Sequence, residues 1–113
     1  FMTPPMLNRP LILEERVRVP DGAGGYSETW SALGTLWAEL RASSGREAEG
    51  EFVTLSRATY KITVRAAQVG YPSRPKPDQR FRAGARIFVI HAVVEAGTDG
   101  RFLVCHAQEE TVT

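Results

Sequence analysis

A chain of 113 residues with 42% hydrophobic and 24% charged residues has the size and make-up of one soluble globular domain, able to bury about 65% of its unfolded surface. Fourteen basic and thirteen acidic residues leave a net charge of +1, which argues against a dedicated nucleic-acid binder with a strongly basic field. A single cysteine excludes an internal disulfide and a thiolate metal cluster, and implies synthesis in a reducing cytoplasm.

The apolar runs fall far short of the roughly 20 residues that cross a bilayer, and no basic-then-apolar leader opens the chain. Membrane partners are therefore not expected. Phe1 ahead of Met2 reads as a foreign addition and is left out of the reading. One domain over residues 2–113 is expected, with 2–8 as a loose arm because Pro4 and Pro5 remove backbone donors.

Leu11 to Val19 reads as the first strand. Leu11, Leu13, Val17 and Val19 share one face with Glu15 among them, and Ile12, Glu14, Arg16 and Arg18 share the other. Pro20-Asp21-Gly22 is a turn signal that Gly24-Gly25 extends into a loop. Tyr26 to Trp30 begins the second strand or leads into it. From Thr35 to Ala42 the alternation is clean: Leu36, Ala38, Leu40 and Ala42 on one face, Trp37, Glu39 and Arg41 on the other. The two strands suit an antiparallel hairpin, and Trp30 and Trp37 read as packing residues.

Ser43-Ser44-Gly45 stops the second strand. A short helix is expected before Ser56, with Ser44 as N-cap and Glu47 completing a capping box. Gly50 weakens it by about 1 kcal/mol relative to alanine. Thr59 to Ala66 is a strand with Tyr60, Ile62, Val64 and Ala66 inward. Gln68 to Ala85 then reads as a long loop, broken by Gly70, Pro72, Pro75, Pro77 and Gly84. It is the locally basic stretch of the chain, with Arg74, Lys76, Arg80, Arg82 and Arg86 against Asp78.

Arg86 to Glu95 is apolar on both faces, which predicts a strand buried on both sides. Asp99-Gly100 predicts a two-residue hairpin turn. That turn would set Val93 opposite His106, Val94 opposite Cys105 and His91 opposite Gln108. The fold class expected is mainly all-β: a small antiparallel barrel or sandwich of about five or six strands, with one short helix and long loops.

No chemistry-bearing constellation emerges. His91 and His106 offer two ligands where zinc wants three or four, and Cys105 points away from His106, so no Cys/His nucleophile forms. No phosphate-binding, nucleophile-elbow or metalloprotease motif is present. No catalytic residue, metal or cofactor is expected. The basic loop keeps three readings: contact with DNA phosphates, docking on an acidic surface, or a solvated loop.

The order of pieces adds a family resemblance. Gly24-Gly25 and the run to Trp30, the strand Leu36 to Leu40, and Ser44-Gly45-Arg46-Glu47 together resemble the phage head-tail joining family. Leu7-Asn8-Arg9 into Leu11–Glu14, Lys61–Arg65, Gly84–Ile90 and Leu103–Cys105 extend the likeness. These are the head-closure or stopper proteins in the necks of tailed phages, with similar ones in gene transfer agent particles.

The resemblance implies a non-enzymatic connector in the particle neck, made in the bacterial cytoplasm, that joins head to tail and helps retain packaged DNA. It implies a homo-oligomeric ring, with a monomer in isolation still compatible. The other implied partners are a portal or adaptor ring, a tail terminator, and packaged double-stranded DNA by non-specific proximity. Arg74, Lys76, Arg80 and Arg82 become candidates to face the channel or a partner, as do Ser44, Arg46, Glu47 and Glu49. The alternative is a small oligonucleotide-binding β-barrel, which would stack bases on aromatic side chains.

Overall fold

Alternate residues of every strand point into one shared interior. The computed structural model describes residues 4–43 and 58–110. It has six strands: β1 (Arg9–Pro20), β2 (Tyr26–Ala42), β3 (Thr59–Arg65), β4 (Arg80–Ala83), β5 (Arg86–Ala96) and β6 (Phe102–Glu110). All neighbours are antiparallel, and the order β1-β2-β3-β6-β5-β4 closes into a barrel. The all-β expectation holds. The helix expected between Ser43 and Ser56 lies almost wholly outside the described residues.

The core takes Leu11 and Leu13 from β1, Ala38 from β2, Ile62 and Val64 from β3, and Phe81 from β4. Phe88 and Ile90 from β5 and Leu103, Cys105 and Ala107 from β6 complete it. Each set skips every second residue, as a pleated strand requires. Tyr60 meets Phe88 edge to face, with ring centroids 5.2 Å apart. Burial pushes the Cys105 thiol up to about 12, so it behaves as a small hydrophobe.

The structure settles one open reading and changes three expectations. First, β2 is one strand of 17 residues. A bulge lets it run through Gly34: Leu13 pairs with Gly34 and Glu14 with Ala32, which leaves Leu33 as the extra residue. Gly34 sits at φ +148°, a conformation that side chains rarely adopt. Second, the expected Gln68–Ala85 loop ends at Gln79, because Arg80–Ala83 is strand β4. Ala83 pairs with Arg86 across a tight turn in which Gly84 has φ +62°.

Third, β5 and β6 are joined through Gly97–Arg101, with a 3-10 turn at Thr98–Gly100 and Asp99 at φ 66°. The pairing is therefore offset by one from that expected: Ala92 faces His106 and Val93 faces Cys105. Beyond a bulge at His91 it resumes with Ile90 opposite Ala107 and Val89, rather than His91, opposite Gln108. The bulge also explains the two-sided apolar pattern of β5. It changes which parity faces the core, so Phe88 and Ile90 are buried while Val94 is 50% exposed. Fourth, Trp37 is not a packing residue, being 57% exposed.

β4 pairs with β1 only at Ile12–Glu14, and β3 pairs with β2 only over Ala38–Ala42. Glu15–Pro20 and Tyr26–Ser31 thus continue past the barrel as a two-stranded arm. Val17 and Val19 share the parity of Leu11 and Leu13 but have left the core, and Val19 is 40% exposed. At the tip, Asp21 Oδ1 accepts the N–H groups of Ala23 (2.8 Å) and Gly25 (3.0 Å). Those bonds hold its carboxyl below the ordinary value.

Candidate functional site

The basic stretch of the sequence is where local charge and spatial charge part company. Arg80 and Arg82 leave β4 on its outer face, against Glu14 of β1. Arg80 Nε donates to Glu14 Oε1 at 2.7 Å and Arg82 Nε to Oε2 at 2.8 Å, so each carboxylate oxygen has its own guanidinium. Glu14 is 4% exposed, the most buried charged residue described. Burial pushes its carboxyl up, but the hydrogen bonds and charges of Arg82 and Arg80 together outweigh that and hold it below its ordinary value.

The seam continues up the arm. Arg80 lies 4.0 Å from the centre of the Trp30 ring, and Arg16 lies 5.2 Å from it. Arg16 reaches Glu28 at 3.7 Å, and Arg18 stands 4.7 Å from the Tyr26 ring. Glu14, Arg16, Arg18, Trp30, Glu28 and Tyr26 share one face of the hairpin by register. Two guanidinium groups therefore lie against the Trp30 ring, Arg80 the nearer.

Arg74 Nη1 donates to Ala67 O at 2.7 Å, and Nη2 lies 3.4 Å from Glu95. Arg86 donates twice to Glu109, at 2.8 and 3.1 Å, and once to Tyr60 Oη at 3.1 Å. That pairing lowers the Glu109 carboxyl and raises the Arg86 guanidinium. Of the basic residues noted in the sequence stretch, Lys76 alone has no acid within ion-pair distance among the described residues. The acids come from β1, β5 and β6, far away in sequence. No local window of residues contains them.

The remaining loop is ordered. Asp78 N–H donates to Ile90 O and Ile90 N–H to Gln79 O, each at 2.9 Å, and Pro75 is fully buried. Its outer surface presents Lys76 with Val69 (80% exposed) and Tyr71 (55% exposed). Sequence reasoning passed over those two apolar residues, as it did Glu14. Arg74, Arg80 and Arg82 are brought to ion pairs, while Lys76 stays in solvent. Ser44, Arg46, Glu47 and Glu49 lie outside the described residues.

Among the described residues, no three His, Cys, Asp or Glu side chains gather to hold a metal ion. His91 is exposed, with Nε2 3.3 Å from Gln108 Oε1. Among the described residues, no helix is long and apolar enough to cross a membrane.

The depressed carboxyls set an acid limit. Unfolded, Glu14 and Glu109 take up protons around 4.5, and folded they resist until lower pH. Between those limits the unfolded chain binds more protons, so falling pH favours unfolding. Melting temperature is expected to hold from neutral pH down to the ordinary carboxylate range and to fall below it. Melts recorded across that range that do not move would refute the coupling.

The model of the phage head completion protein family matches residues 2–110. The chain belongs to this family. The chain is also similar to part of a structure described as the virion of a native gene transfer agent (GTA) particle. One of its chains is 56% identical, with a TM-score of 0.80, over 97% of this chain and 100% of that one. The solution structure of protein SF1141 from Shigella flexneri 2a shares the fold at 21% identity and a TM-score of 0.68, covering 96% of each chain. No curated protein matches.

Proposed function

We propose that this head completion protein is a structural connector in the neck of a tailed phage or gene transfer agent particle. It joins the DNA-filled head to the tail and helps retain the packaged DNA. The observation that carries the reading is the 56% identity to a chain of a gene transfer agent virion, which this chain covers in full.

In this reading the chain acts as a ring of copies between a portal or adaptor above and a tail terminator below, with double-stranded DNA nearby. It is made in the bacterial cytoplasm and resides in the particle neck. The Gln68–Gln79 loop meets a partner or the channel through its exposed Lys76, Val69 and Tyr71. Arg74, Arg80 and Arg82 hold that surface in place through their ion pairs. The segment carrying Ser44, Arg46, Glu47 and Glu49 is a second partner-facing stretch.

Electron microscopy of particles assembled without the protein tests the reading. Heads and tails are expected to accumulate apart, with the heads losing DNA. Normal tailed particles would overturn it.

A further inference from the structure

The arm carries two unpaired strand edges. Among the described residues, no strand pairs with the outer edge of β1 over Glu15–Pro20 or with that of β2 over Tyr26–Ala32. An edge that long is a template for another strand, and proteins that keep edges unpaired shield them with charged side chains (lysine above all), proline, bulges or short length. Here Pro20 sits at the tip and neither segment holds a lysine. The charges present, Glu15, Arg16, Arg18 and Glu28, are of both signs, so one edge can pair with the other rather than only repel it. The two edges lie on opposite flanks of one ribbon and run in opposite directions.

That polarity selects the partner. Cyclic symmetry keeps every copy pointing the same way along the axis, so the β2 edge of one arm meets the β1 edge of the next, a head-to-tail contact that closes into a ring. β1 and β2 are antiparallel within the arm, so the new seam is antiparallel as well. The charges agree with it. β1 brings Arg16 and Arg18 to one face of the ribbon, and β2 brings Glu28 to the same face. Arg18 has no acid within ion-pair distance among the described residues, and Glu28 has one contact, at 3.7 Å.

We infer that the projecting β1–β2 arm pairs edge to edge with the arm of a second copy of this chain, so that successive arms form one continuous antiparallel sheet. This inference rests on the proposed ring and names the surface that closes it. Main-chain hydrogen bonds supply the attraction in such strand addition, and Glu28 against the neighbour's arginines fixes the register.

The test places photo-reactive benzoylphenylalanine at Thr29, and separately at Ser27, in chains incorporated into whole particles. Irradiation is expected to give covalent dimers of this chain on a denaturing gel, with the label joined to a Glu15–Val19 peptide of the second copy. The same label at Lys61 is expected to lose that product, because β3 is paired on both flanks. Particles that contain the chain but yield no such dimer, or dimers joined elsewhere, would overturn edge pairing and leave the connector reading standing. Equal dimer yield from Lys61 would overturn it too. Particles that lack the chain would overturn both.

Discussion

Glu14→Ala is expected to destabilise the folded chain by about 3 kcal/mol, the lower end of the range for breaking a buried ion pair. The loss is not simply that of two hydrogen bonds. Removing the carboxylate leaves Arg80 and Arg82 facing each other across a gap, with Arg80 retaining only 16% side-chain exposure. Arg82 is 38% exposed and can rehydrate, which reduces the cost and places the effect low in the range. Glu14→Gln keeps an acceptor oxygen for one guanidinium and is expected to cost less.

Urea unfolding measures the loss. Tryptophan emission should report it as well, because the same Arg80 covers Trp30 at 4.0 Å. An unfolding midpoint unchanged in Glu14→Ala would mean that the seam is a solvated ornament rather than a brace between β1 and β4.

What was legible in the sequence was whatever a strand announces by itself. Leu36, Ala38 and Leu40 alternate with Trp37 and Glu39, and Ile62 and Val64 alternate with Lys61 and Thr63, so faces could be assigned from period alone. β4 was missed because four residues, Arg80–Ala83, are too few for a period and follow a proline-rich stretch. Yet Phe81, flanked by arginines and followed by the Gly84 turn into a clear strand, was a usable signal.

The bulges at Leu13/Glu14 and Ile90/Ala92 were out of reach. Each answers to the curvature of the closed sheet rather than to local composition. Glu14 shows the same limit for the site. As one acid on an alternating strand it reads as a solvated face. Only the closure of β4 onto β1 brings it 66 and 68 residues away to Arg80 and Arg82. The basic stretch that looked unpaired in sequence is largely an artefact of reading charge along the chain. The reading of the arm suffered in the opposite sense, since Val17 and Val19 alternate like core residues but extend past the point where β4 pairs with β1.

Phe88→Ala is expected to carry the other large effect, about 3–5 kcal/mol, because it removes a buried ring and leaves a cavity in a closed barrel. Phe88 is fully buried and sits where three strands meet, its Cα opposite Phe81 on β4 and Glu109 on β6. Its ring also receives the edge-to-face contact of Tyr60, and the Arg86 guanidinium lies 5.0 Å from its centre. Collapse around the void is limited because Arg86 is already fixed by Glu109 and Tyr60. Domains are stable by only about 5–15 kcal/mol, so the variant should unfold at markedly lower urea or temperature, and Phe88→Leu, which refills much of the volume, should recover part of the loss. Trp37→Ala is the matched control: an aromatic of larger size but 57% exposed, expected to change the stability of the isolated chain by no more than about 0.5 kcal/mol. Equal losses from Phe88→Ala and Trp37→Ala would place the core elsewhere than in the barrel interior.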